Sequence, residues 1–199
     1  MNKIKYFIQS LERPERLEYI EKNKKIIQDI EIYKSINGYN IDETCNEFYK
    51  SGLKYTELHK DYETYGTLAN YLTKINAFKY QIENNIEYMC LIEDDLILDK
   101  DFPKFIEDNL HFLEEYNILQ LDEWGEGYIT SLEGAKNVLN DITKDGIIKN
   151  IDNQLSQNCS KNKRLYNTPW ILAIPTNLGD CMKTEQIPDS IIKNFKEHN

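Results

Sequence analysis

Apolar and polar residues alternate along KIKYFIQS (Lys3 to Ser10), a stretch rich in β-formers, and this spacing predicts a first strand. Pro14 suits the first turn of a helix, and ERLEYIEKNKKIIQDI behind it carries apolar residues at helical intervals. A second strand is predicted over Glu31 to Ile36, closed by the turn Asn37-Gly38. The signal then weakens, with DETCNEFYKSG as a short helix that Gly52 breaks. TLANYLTKINAFKYQIENN places Leu68, Leu72, Ile75, Phe78 and Ile82 on one helical stripe and runs straight into EYMCLIEDDLIL, a strand of the buried type.

Further along, FPKFIEDNLHFLEEY predicts a helix with Pro103 near its start, NILQL a short strand and DEWGEG a turn. Ser131 is placed to cap a helix over SLEGAKNVLNDI, and IIKNIDNQLSQN predicts a short helix at Asp152. RLYNTPWILAIP predicts a late strand interrupted at Pro169. A strand–helix–strand opening favours a parallel α/β sheet. No repeat, low-complexity tract or linker divides the chain, which predicts a single domain over 1–186 and a surface helix or tail over 187–199.

Composition narrows the partners. The 199 residues are 40% hydrophobic, enough for a core at this length, and carry a net charge of −10. That charge argues against a nucleic-acid backbone or an anionic membrane surface, though not against a nucleotide held locally. There is no secretory signal pattern and no apolar run of membrane-spanning length, so no membrane span and a cytoplasmic location are expected. Cys45, Cys90, Cys159 and Cys181 lack metal-ligand spacing and read as reduced packing residues.

The chemistry concentrates at Glu93, Asp94 and Asp95, three carboxylates between apolar runs. Neighbouring charges about 4 Å apart repel by roughly 4 kcal/mol at an effective dielectric near 20. The triplet must therefore be solvated, partly protonated or neutralised by a cation. If Met89 to Ile92 is a central strand, the acids lie at the sheet edge where α/β proteins bind ligands. Along an extended chain Glu93 and Asp95 would share one face and Asp94 the other. Oxygen ligands suit Mg²⁺ or Mn²⁺, which take one or two carboxylates and complete their shell with phosphate oxygens. The plainer reading is a solvated acidic turn.

The order of motifs resembles glycosyltransferase family 25, the group of lipopolysaccharide sugar transferases and procollagen galactosyltransferase domains. YFIQSLERPER resembles its first strand with a leucine and two spaced arginines, SINGYN its glycine turn, and YGTLANYLTKINAFKYQIENNIEYMCLIEDDLIL its glycine-led helix running into the E-D-D strand. GYITSLEGAKNVL, NIDNQL and YNTPWILAIP resemble its later segments, so the likeness covers roughly residues 3 to 180. One departure is that Asn70-Tyr71 stands where the family usually has Ser-His.

The resemblance implies a GT-A type fold, with a Rossmann-like, mixed but mostly parallel sheet flanked by helices. It implies a metal-dependent hexosyltransferase that moves galactose or glucose from a nucleoside-diphosphate sugar, UDP favoured, to a glycan or hydroxylated protein acceptor, with inversion. Carried over by position, Asp95 is the metal ligand with Glu93 in support, and Asp94 faces the ribose or donor sugar. Arg13 and Arg16 would meet the donor phosphates, the alternative being ordinary ion pairs at a helix start. Asp152 is the first candidate for the base that accepts the acceptor's proton, and Asp122 with Glu123 the second. Trp124 and Tyr128 bracket a glycine-rich turn where aromatic faces could meet a sugar, although Tyr128 also suits a core position. The competing class is a catalytically inactive GT-A module that binds glycan or protein.

Overall fold

A computed structural model describes residues 4–56, 63–121, 125–159, 161–172 and 183–198. Strand β1 (Ile4–Ser10) pairs in parallel with β2 (Glu31–Lys34) on one side and with β3 (Tyr88–Glu93) on the other. Beyond β3 comes an antiparallel strand, β6 (Gly127–Ser131), then β5 (Ile118–Gln120) and β7 (Asn162–Arg164). The order β2-β1-β3-β6-β5-β7 leaves β6 as the one reversed strand of this sheet, so the predicted single-domain, mostly parallel α/β architecture is present.

Alternation along the strands sorts side chains to two faces. On β1, Phe7 faces one core cluster while Ile4, Tyr6 and Ile8 face the other. Met89 and Leu91 of β3 share the Phe7 face, whereas Cys90 and Ile92 point away from it. The Phe7 face is covered by α2 (Ile41–Ser51), α3 (Tyr65–Glu83), α5 (Leu132–Asp145), α6 (Ile151–Gln157) and α7 (Asp189–Glu197). Helices α1 (Pro14–Ile26) and α4 (Phe102–Asn109) cover the opposite face. Local signals end several helices as expected: Ser131 accepts a hydrogen bond from the Gly134 amide at the start of α5, and Gly52 follows α2 at a positive φ of 67°.

Three differences from the sequence reading have physical reasons. The predicted strand EYMCLIEDDLIL is two strands, because the chain turns at Asp94-Asp95 and Leu96–Leu98 becomes β4 of a separate antiparallel pair with β8 (Trp170–Leu172). Asn23 on α1 fastens that turn: its Nδ2 donates to the Leu96 carbonyl at 2.8 Å, and its Oδ1 accepts from the Leu98 amide at 2.9 Å. The late strand around Pro169 likewise divides between β7 and β8, which belong to different sheets; residues 173–175 of that stretch lie outside the described residues. Finally, the C-terminal segment forms a helix that is part of the domain core, since Phe195 is fully buried with its ring 4.3 Å from that of Phe48.

Helix α3 is enclosed well beyond its apolar stripe, for Thr73, Lys74, Ala77 and Gln81 are buried as well. Its first turn packs backbone to backbone on the Asn37-Gly38 turn: a Cβ on Gly38 would lie 2.4 Å from the Gly66 Cα. Cys45, Cys90 and Cys159 are free thiols, and Cys181 lies outside the described residues. Among the described residues, no helix is long and apolar enough to cross a membrane.

Candidate active site

A cleft opens at the carboxyl ends of β1, β2 and β3, the edge at which α/β sheets bind ligands. It encloses about 140 Å³ and opens broadly to solvent. Arg13, Arg16, Gly38, Tyr39, Asn70 and the whole acidic triplet line it. The cleft floor is tied to α3 through Gln9, whose Nε2 donates to Asn70 Oδ1 at 2.6 Å.

The sheet itself divides the triplet. Glu93 continues the row of Met89 and Leu91 and so faces α3, where its Oε1 lies 3.0 Å from Lys74 Nζ. Asp94 falls on the α1 side. Its Oδ2 accepts a 2.5 Å hydrogen bond from Ser10, and its Oδ1 lies 3.7 Å from the Arg16 guanidinium. Because the chain turns there, Asp95 joins Asp94, with Oδ2 3.6 Å from Arg16. The expected pairing of Glu93 with Asp95 on one face is thus replaced by Asp94 with Asp95. Two buried side-chain cations, Arg16 at 3% exposure and Lys74 at 1%, offset part of the triplet's charge.

Lys74 is the residue that pattern reading missed. Its ammonium meets Asp152 Oδ1 at 2.7 Å, Glu93 Oε1 at 3.0 Å and the Gly125 carbonyl at 3.1 Å. Burial opposes that charge, yet Asp152 and Glu93 outweigh it and hold the ammonium above its ordinary range. Burial also acts most strongly on Glu93. Lys74 pulls its carboxyl down, Asp95 and Asp152 push it up, and it stands at about 7. Tyr128 donates its hydroxyl to the same Asp152 Oδ1 at 2.7 Å. At 1% exposure, the Tyr128 ring is enclosed instead of open to a sugar. Among the described residues these two bonds engage Oδ1 of Asp152 and leave Oδ2 for a proton.

Asp122, Glu123 and Trp124 lie outside the described residues. Tyr71, at the position of the family histidine, is buried in the α3 core cluster and does not line the cleft; its neighbour Asn70 does. For a divalent ion, Asp94 and Asp95 offer hard oxygen ligands in the cleft wall, whereas Glu93 is already bonded to Lys74. No cluster of three or more His, Cys, Asp or Glu side chains suited to a metal occurs among the described residues.

The sequence profile of glycosyltransferase family 25 (LPS biosynthesis protein) matches residues 3–168. The chain belongs to glycosyltransferase family 25. It is a glycosyltransferase by family, and glycosyltransfer implies a nucleotide-sugar donor and an acceptor. Eleven solved chains match its structure. One is a glycosyltransferase involved in the glycosylation of the major capsid of PBCV-1, with 11% identity, 81% of each chain covered and a TM-score of 0.43. A search of curated protein sequences returns no match.

Proposed function

We propose that this family 25 glycosyltransferase moves a hexose, galactose or glucose, from a UDP-sugar to a hydroxyl of a glycan or of a hydroxylated protein side chain, with inversion. The observation that carries this reading is the cleft itself. It gathers Arg13, Arg16, Asp94 and Asp95 at the carboxyl edge of a mostly parallel sheet, the edge at which α/β sheets bind ligands. Arginine's planar fork suits phosphate oxygens, and Asp94 stands where a ribose or sugar hydroxyl could donate to it. Mn²⁺ or Mg²⁺ held by Asp95 with Asp94 would stabilise the charge on the departing diphosphate.

Asp152 is the general base of the proposal. The acceptor oxygen bonds to the anomeric carbon as the bond from that carbon to the diphosphate breaks. The diphosphate leaves with the bonding pair, and the acceptor's proton passes to Asp152 Oδ2. A second reading has its own support. Because Arg16 and Lys74 offset two of the triplet's three charges, a non-catalytic glycan- or protein-binding module could keep these acids with neither metal nor donor.

Calorimetry with UDP in the presence and absence of Mn²⁺, followed by UDP release from UDP-galactose and UDP-glucose, tests the proposal. The expected result is Mn²⁺-dependent binding and a turnover lost in a folded Asp95→Ala variant. A donor cleft that binds no UDP under either condition leaves the binding-module reading in its place.

A further inference from the structure

The ammonium of Lys74 is sealed in the centre of the protein, and its three donors meet three acceptors. Those acceptors come from different parts of the fold: Glu93 from the end of β3, Asp152 from the first turn of α6, and the Gly125 carbonyl ahead of β6. The surroundings are shaped to allow this meeting. Gly125 has φ +90°, and a Cβ there would lie 2.5 Å from the Tyr128 hydroxyl and 2.7 Å from Asp152 Cβ and Cγ. The Tyr128 ring centroid lies 5.0 Å from Lys74 Nζ, so its face and its hydroxyl serve the same pair of charges.

As a source of stability alone, this arrangement is poor. A buried ion pair is often matched or bettered by apolar residues of similar volume, and Lys74 lies on a helix otherwise enclosed by leucine, isoleucine and phenylalanine. What a fixed ammonium does supply is geometry, because it sets how far apart two carboxylates from separate elements must stand.

We propose that Lys74 is a positioning residue for glycosyl transfer, clamping Oδ1 of Asp152 to Oε1 of Glu93 so that the base stays registered with the donor cleft. The inference rests on Asp152 acting as the base. Lys74 touches neither donor nor acceptor; it acts through Asp152.

The test uses the full chain with UDP-galactose, UDP-glucose and Mn²⁺, water or an added sugar serving as acceptor. Wild type is compared with Lys74→Met, Lys74→Arg, Asp152→Asn and the Lys74→Met/Asp152→Asn pair. Lys74→Met is expected to lower kcat by about 100-fold, while KM for the donor and UDP affinity stay within about twofold. In the Asp152→Asn background the same change is expected to cost no more than about twofold, because its effect runs through that carboxylate. Lys74→Arg, which keeps the charge, recovers part of the rate. Should Lys74→Met not fold, Lys74→Gln, with a neutral donor of similar reach, carries the same comparison.

The inference is overturned if a folded Lys74 variant keeps wild-type kcat, if the losses from Lys74 and Asp152 multiply independently, or if UDP affinity falls in step with kcat. A wild-type protein that turns over neither UDP-sugar overturns the transferase reading and this inference together. Wild-type activity with an indifferent Lys74 overturns this inference alone.

Discussion

Arg16 and Lys74 meet the same acidic triplet from opposite faces of one sheet, and they hold it differently. Lys74 makes contacts of 2.7 to 3.1 Å to three acceptors and does not line the cleft. Arg16 stands 3.6 and 3.7 Å from Asp95 and Asp94 in the cleft wall, where both carboxylates keep 14% of their side-chain surface exposed. The α3 side of the triplet is therefore a clamp of short contacts that occupies all three Lys74 donors, even though Glu93 keeps 29% of its side-chain surface exposed, while the α1 side, held by longer contacts, is where the proposed ligand would join.

The sharpest way to break that contrast is to remove each cation in turn. Lys74→Met leaves Glu93 and Asp152 without their shared ammonium and is expected to cost about 3–5 kcal/mol in urea unfolding, with no recovery on adding Mn²⁺. Arg16→Met is expected to cost less, about 2–3 kcal/mol, because its contacts to Asp94 and Asp95 are longer, at 3.7 and 3.6 Å. There Mn²⁺ should restore part of the loss by binding the vacated carboxylates. Equal rescue of both variants, or of neither, would erase the distinction between clamp and ligand surface.

Gly38→Ala probes the donor side through shape instead of charge. The added Cβ meets the Gly66 backbone, so the start of α3 has to move. A loss of about 1–3 kcal/mol with weakened UDP binding is expected. Unchanged UDP affinity would show that the cleft does not depend on this contact.

The last effect is in pH dependence. Glu93 has a folded-state pKa of about 7 against an ordinary 4.5. The folded state therefore holds this proton more tightly, and the contribution is full below about 4.5 and lost as pH rises through 7. Wild type should lose stability relative to Glu93→Gln across that window, and parallel curves for the two proteins would rule out the raised pKa.

Much of this was legible in the sequence. The strand signal over residues 4–10, Pro14 at a helix start, the Asn37-Gly38 turn and the Ser131 cap are local signals that the structure repeats. So was the acidic triplet at the end of a buried strand. The site was legible only in part. Lys74 lies off the apolar stripe of its helix and looks like an ordinary solvent-facing lysine. It is buried because the sheet and α6 converge on that side of α3. The assignment of Asp95 to the face of Glu93 assumed an extended chain, and the turn before β4, fastened by Asn23 from a distant helix, reverses it.

Sequence alone determined β1, β2, the helices α1, α3 and α5 and the place of the carboxylates at the end of β3, since these follow from spacing along a single chain. Which cation meets which acid was decided only by tertiary structure. Arg16, Lys74 and Asp152 lie on three different helices, and charges that far apart along the chain become neighbours only once the helices pack on the sheet.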